Sequence, residues 1–203
     1  MNLEKEKILH YTQEKFFTFG ISKITMDQLA KEMRMSKKTI YKHFPSKQDL
    51  AREVMFKTMG TIKKSIIEIV DGNGNVVQKL DSISKVFFNL SIKITDNWIN
   101  DLRTYNYTLW QEMDNFRVKA IRENFSKILE QGKSEEIIID KPTPIMLEII
   151  LGAIRAVINP DFMINNRFTI QEAAEHTFQI VFFGLFTKKG RKIYKQLKSG
   201  QKS

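Results

Sequence analysis

Between Thr25 and Leu50 the sequence is cut by helix caps at intervals too short for helices that could stand alone. Thr25 and Gln28 have the spacing of a capping box, flanked by Ile24 and Leu29 as its hydrophobic staple, and open a helix from Met26 to about Met33. Ser36 caps a second helix, with Met35 and Ile40 as a second staple; Pro45 stops it. Ser46 caps a third, whose Asp49 falls where a carboxylate favours the helix dipole. Isolated helices shorter than about 12–15 residues are marginal in water, so these segments must fold against one another. In the middle one, Ile40 and Phe44 are four apart and face inward, leaving Lys37, Lys38, Tyr41 and Lys42 to face outward.

Strand signals are nearly missing elsewhere, and the fold class expected is all-α. A first helix is read from about Leu3 to Phe19, ending before Gly20, with Leu9, Thr12, Phe16 and Phe19 on one face. The helix that Ser46 opens runs to about Val70, before the turn cluster 71–75. Further helices are expected over Val76–Thr95 and Tyr105–Gln131. Thr143-Pro144 opens another over Ile145–Ile158, and the capping-box pair Thr169 and Glu172 opens one from Ile170 to Phe186 or beyond.

The chain has 203 residues and a net charge of +10, unevenly placed. Residues 1–60 carry 12 basic and 7 acidic side chains, residues 61–186 carry 14 and 16, and residues 187–203 carry 7 and none. A basic N-terminal region calls for an anionic partner, and residues 188–203 read as a solvated basic tail. Cysteine is absent, which removes disulfides and thiolate metal sites and fits a reducing compartment. No signal peptide is evident, and the longest apolar run, Ile180–Phe186, falls far short of the roughly 20 residues of a membrane helix. A cytoplasmic location without membrane association is expected. His10, His43 and His176 are widely separated, no glycine-rich phosphate loop is present, and no serine lies in a nucleophile elbow. Neither an enzyme, a metal site nor a cofactor is indicated.

The tight Met33–Ser36 connection between the two short helices is that of a helix-turn-helix, whose second helix enters the major groove of DNA. Thr25 and Lys47 stand at helix starts, where unpaired backbone N–H groups already favour a phosphate. From Ile8 to Leu50 the pattern resembles the N-terminal DNA-binding domain of the TetR family of transcriptional regulators. The residues that carry the likeness are Phe16-Phe17, Gly20, Ile24-Thr25-Met26, Leu29-Ala30, Met35-Ser36, Thr39 to Phe44, Ser46-Lys47 and Leu50. Arg34-Met35 stands where the family usually has Gly-Val. The resemblance implies an N-terminal three-helix bundle over residues 1–50 and a larger helical ligand-binding and dimerisation domain over 51–203. It implies base contacts from Lys37, Lys38, Tyr41 and Lys42, and phosphate contacts from Thr25, Thr39, His43 and Lys47.

The segments 149–158 and 180–186 are apolar nearly all round, so both need cover on every side. Either they form one central core, or, as the resemblance implies, they pair with a twin in a four-helix interface. The interface expected on the second reading comprises Ile150, Ile154, Val157, Phe178, Val181, Phe182 and Leu185. The aromatic-rich stretch between supplies a ligand pocket or a helical core. Its pocket residues would be Trp98, Tyr105, Trp110, Met113 and Phe116, with Ile150, and Glu112 and Asp114 either meet a cationic group or face water. The function expected is that of a homodimeric regulator on a palindromic double-stranded operator. It would be a repressor released by an unidentified, small, largely apolar effector. The alternatives are a small-molecule binding or scaffold protein with a vestigial helix-turn-helix, and a non-specific DNA binder driven by the basic tail.

Overall fold

The computed structural model describes residues 3–104 and 107–200. Eleven helices and no strand lie among the described residues: α1 (Leu3–Phe19), α2 (Met26–Glu32), α3 (Lys37–His43), α4 (Lys47–Asp71), α5 (Val76–Ser91), α6 (Asp96–Thr104), α7 (Tyr107–Ser134), α8 (Thr143–Val157), α9 (Pro160–Asn166), α10 (Ile170–Leu185) and α11 (Lys188–Gly200). They divide into two compact units, one of residues 1–61 and 92–115, the other of residues 62–91 and 116–203.

The first unit is built on α1, which buries Ile8, Leu9, Thr12, Phe16 and Phe17, while Phe19 is exposed. Gly20 closes this helix at φ 88°, its N–H bonded to the Phe16 carbonyl, in the left-handed conformation that glycine adopts without penalty. A side chain there would also meet the Asp101 carboxylate. Asp101 instead accepts the Ser22 N–H at 2.8 Å, and the Thr95 hydroxyl donates to the Phe17 carbonyl at 2.9 Å, so α6 is fastened to the end of α1. Trp98, 1% exposed, sets its ring edge against Phe17 with centroids 5.1 Å apart.

The second unit has a core drawn from α5, α8, α10 and the parts of α4 and α7 that belong to it. Lys79 is buried there because its ammonium donates to the Val70 carbonyl at 2.7 Å and to Gln131 Oε1 at 2.9 Å, capping the end of α4. Thr169 and Glu172 form the capping box of α10. Thr143 is the first residue of α8 rather than its cap; its hydroxyl is taken by Glu130 and Lys133.

Residues 137–139 run beside 185–187, with Ile139 N–H on the Leu185 carbonyl and Thr187 N–H on the Ile137 carbonyl, both at 2.9 Å. This seam docks the last helix. The basic segment from Lys188 to Gly200 is thus not a solvated tail. It is an amphipathic helix whose Ile193, Tyr194 and Leu197 pack against the core, with Lys188, Lys192 and Lys195 exposed.

The residues of the interface expected on α8 and α10 differ in exposure within the protomer. Ile150, Ile154, Phe178, Phe182 and Leu185 are buried inside the protomer, and Val157 and Val181 are half-buried. The exposed apolar residues of these helices are Ile145 and Ile149 on α8 and Ile180 and Phe183 on α10. On a helix that is apolar all round, composition does not reveal which side its own chain covers.

Candidate nucleic-acid interface and effector cavity

The turn 33–36 between α2 and α3 is locked by backbone bonds. Met33 N–H returns to the Leu29 carbonyl and Met35 N–H to the Ala30 carbonyl, both at 2.9 Å. Arg34 takes φ 54° there, the left-handed conformation that the usual glycine would adopt freely. The predicted caps on either side are formed. Thr25 Oγ1 accepts the Gln28 N–H at 3.1 Å while Gln28 Oε1 accepts the Thr25 N–H at 2.8 Å, and Ser36 Oγ accepts the Thr39 N–H at 3.0 Å. With Ile40 and Phe44 fully buried, the register of α3 is fixed, and Lys37, Lys38, Tyr41 and Lys42 all come to the surface.

These four residues are not equivalent. Lys37 forms an ion pair with Asp27 of α2, which ties the start of α3 to its neighbour. Tyr41 is 44% exposed with its phenol at the surface. Among the expected phosphate residues, Lys47 donates to the carbonyls of Ile24 (3.0 Å) and Ser22 (3.3 Å), so its charge stands beside the Thr25 cap. That puts a cation at the start of α2, where an anion is favoured. Thr39 shares a hydrogen bond of 2.8 Å with Ser36.

His43 departs from expectation. Its side chain is only 8% exposed and its Nε2 lies 2.8 Å from Glu4 Oε2, so it packs α3 onto α1 rather than facing outward. Opposite this contact, Glu32 of α2 accepts from Lys15 and Tyr11 of α1. The Lys15 bond first and the Tyr11 bond second hold its carboxyl below the usual glutamate range. Arg34 was not read as a site residue; its exposed cation on the turn joins the basic face.

The sequence-predicted ligand residues that the structure describes are divided between the two units. Trp98 is core of the first unit, as its contact with Phe17 shows, and half-buried Trp110 and Met113 belong to that unit too. Glu112 pairs with Arg52 at 2.7 Å. Phe116 lies in the second unit beneath the Lys63 ammonium, Ile150 is core, and Tyr105 falls outside the described residues.

A cavity of about 170 Å³ lies within the second unit, between α5, α10 and α11. Its apolar wall includes Phe178 and Phe182, stacked at 5.5 Å, and Phe186 beside Tyr194 at 5.8 Å. On its polar side Asp81, with a side chain 5% exposed, bonds Lys198 through Oδ1 at 2.6 Å and Lys85 through Oδ2 at 2.8 Å. Burial works against the Lys198 charge, but the bond and charge of Asp81, aided by Tyr194 and Glu175, outweigh it and raise the lysine above its ordinary pKa. No pattern along the chain pointed here, because the walls come from segments about a hundred residues apart.

Residues 8–54 match the sequence model of the bacterial regulatory proteins of the tetR family. The match covers the helix-turn-helix whose caps and exposed basic face have just been described. The chain carries a segment similar to the DNA-binding domain of that family. It is a DNA-binding transcription regulator, not an enzyme.

Beyond the matched segment, the chain is 24% identical over 177 residues to the HTH-type transcriptional regulator YvaF of Bacillus subtilis, covering 85% of the chain and 88% of the relative. Its fold is similar to that of the fatty acid degradation regulator FadR from Bacillus halodurans, with a TM-score of 0.66 and 18% identity over 91% of this chain and 97% of the other. FadR from Bacillus subtilis, solved in complex with stearoyl-CoA, gives a TM-score of 0.62 and 19% identity over 89% and 98% of the two chains. At these identities the structural likeness establishes the fold. No described helix of this protein is long and apolar enough to cross a membrane.

Proposed function

We propose that the protein is a cytoplasmic homodimeric repressor that grips a palindromic operator and releases it when a small, largely apolar molecule enters the cavity of the second unit. The observation that carries this reading is α3 itself: a short helix pinned by buried Ile40 and Phe44, presenting Lys37, Lys38, Tyr41 and Lys42 together. Such a face suits base edges, with Lys47 and the Thr25 cap placed for a phosphate.

One recognition helix reads only a few base pairs, and a two-fold pair reads a palindrome. The exposed Ile145, Ile149, Ile180 and Phe183 supply the apolar surface for that pairing. The aromatic-walled cavity supplies room for an effector, and the stearoyl-CoA complex of a FadR of similar fold supports a ligand-responsive reading. Release then follows if the effector favours a dimer whose recognition helices are wrongly spaced.

Selection of bound fragments from a random duplex library should return a palindromic motif, with affinity falling steeply as salt rises. Enrichment of no motif would overturn the sequence-specific reading and leave the scaffold alternative.

A further inference from the structure

The cavity between α5, α10 and α11 already holds a positive charge of the protein's own. The Lys198 ammonium reaches in from α11, bonds Asp81 at 2.6 Å and stands 5.6 Å from the centre of the Tyr194 ring. A carboxylate almost wholly withdrawn from water, set among aromatic rings, is the chemistry that recognises organic cations, since ring faces attract a charge that the carboxylate then balances. Glu175 adds a second carboxylate to the wall.

We propose that this cavity takes a small lipophilic organic cation, and that the Lys198 ammonium is a built-in placeholder which the guest displaces from Asp81. The inference rests on reading the cavity as the effector site and names the class of effector. The Lys198 side chain is 43% exposed, so a displaced ammonium has solvent beside it to enter. Asp81 keeps Lys85 on its other oxygen, so the carboxylate stays ionised and positioned throughout. A neutral guest gains nothing from Asp81, and an anion must approach a buried carboxylate. Because the Lys198–Asp81 pair joins α11 to α5, its rupture loosens the far end of the last helix, which gives the guest a structural consequence.

The test is calorimetric titration of the full-length protein with benzyltrimethylammonium, benzyl alcohol and 3-phenylpropanoate. The cation should bind more tightly than the other two. Lys198→Met, which empties the placeholder's position, should tighten the cation by about tenfold, and Asp81→Asn should weaken it by at least as much. Lys198→Arg, which keeps a cation on the carboxylate, should behave as wild type. Thermal melts establish that each variant is folded; if Asp81→Asn is not, the contrast between Lys198→Met and Lys198→Arg decides.

Preferential binding of 3-phenylpropanoate, or a Lys198→Met variant with unchanged or weaker cation binding, would overturn the proposal while leaving the cavity as an effector site. If none of the three compounds binds wild type or Lys198→Met, the cavity itself is removed as the effector site. The DNA-binding reading is tested separately by fragment selection.

Discussion

Tyr41 and Lys47 are placed for different tasks. Tyr41 is exposed on the outer face of α3 between Lys38 and Lys42, whereas Lys47 is anchored on backbone carbonyls beside the Thr25 cap. Tyr41→Ala should therefore cost about 1–3 kcal/mol on the operator and little on unrelated DNA, while Lys47→Ala should weaken both alike and reduce the salt slope by about one. Gel-shift titrations of both DNAs at several salt concentrations separate the two, and equal losses on both for Tyr41→Ala would exclude a base contact. Arg34 is a second point where one residue decides something. Its φ of 54° costs an ordinary residue about 1–2 kcal/mol, which glycine would avoid at an entropic cost of about 0.5–1 kcal/mol. Arg34→Gly should raise the melting temperature by a few degrees, a gain of about 0.5–1 kcal/mol; a lower melting temperature would mean the turn carries no such strain. The caps Thr25, Ser36 and Thr169 were legible because a cap is a local pattern. The inward turn of His43 was not, since it depends on Glu4, 39 residues away.

Several helices with caps or apolar periodicity could be read from the chain, but α6 and α9 were not anticipated, although Asn159 caps α9. The last helix was the most consequential misweighing: Ile193, Tyr194 and Leu197 allowed a helical extension, but its lysines suggested solvent, while Gly190 ties it to the body. A Cβ at Gly190 would stand 2.4 Å from the Ile137 carbonyl oxygen, a backbone atom held in the seam between 137–139 and 185–187. Gly190→Ala should thus destabilise by about 1–3 kcal/mol, as overpacking does. Gly60→Ala, where nothing lies within 4 Å, should stabilise by roughly 0.5–1 kcal/mol through helix propensity alone. Urea midpoints of the pair check both signs. The cap of α10 is pH-sensitive: the Thr169 backbone N–H and then its hydroxyl hold the Glu172 carboxyl below its usual range. Between that lowered value and the ordinary one near about 4.3, the unfolded chain binds the extra proton. The stabilisation is complete above that range and lost as pH falls through the folded value. Glu172→Gln keeps the acceptor but not the titration, so its melting-temperature deficit relative to wild type should be largest at neutral pH and shrink below about pH 4. A deficit that stays constant from pH 7 to 3 in scanning calorimetry would sink the assignment.

For the molecule as a whole, the proposed dimerisation turns on which faces of α8 and α10 are left over once the protomer has folded. Both helices are apolar nearly all round, so the sequence left open whether they form a core or an interface, and the phase of each was not visible. Burial resolves it: Ile150, Ile154, Phe178, Phe182 and Leu185 are consumed inside the chain, and Ile145, Ile149, Ile180 and Phe183 remain outside. Ile180 is 73% exposed, so a charge at that position costs the isolated protomer little. In a paired interface the same charge would be buried without a partner, a far larger penalty. Ile180→Glu should therefore sediment as a folded monomer at micromolar concentration, where the wild type sediments as a dimer. The wild-type melting temperature should rise with protein concentration, because association stabilises only the folded chain, and that of the variant should not. Operator affinity should collapse in the variant while weak, salt-sensitive binding to any DNA persists, because each α3 keeps its lysines and loses only its twin. A variant that remains dimeric, with concentration-dependent melting intact, would place the pairing face elsewhere and leave the exposed isoleucines of α8 and α10 without that role.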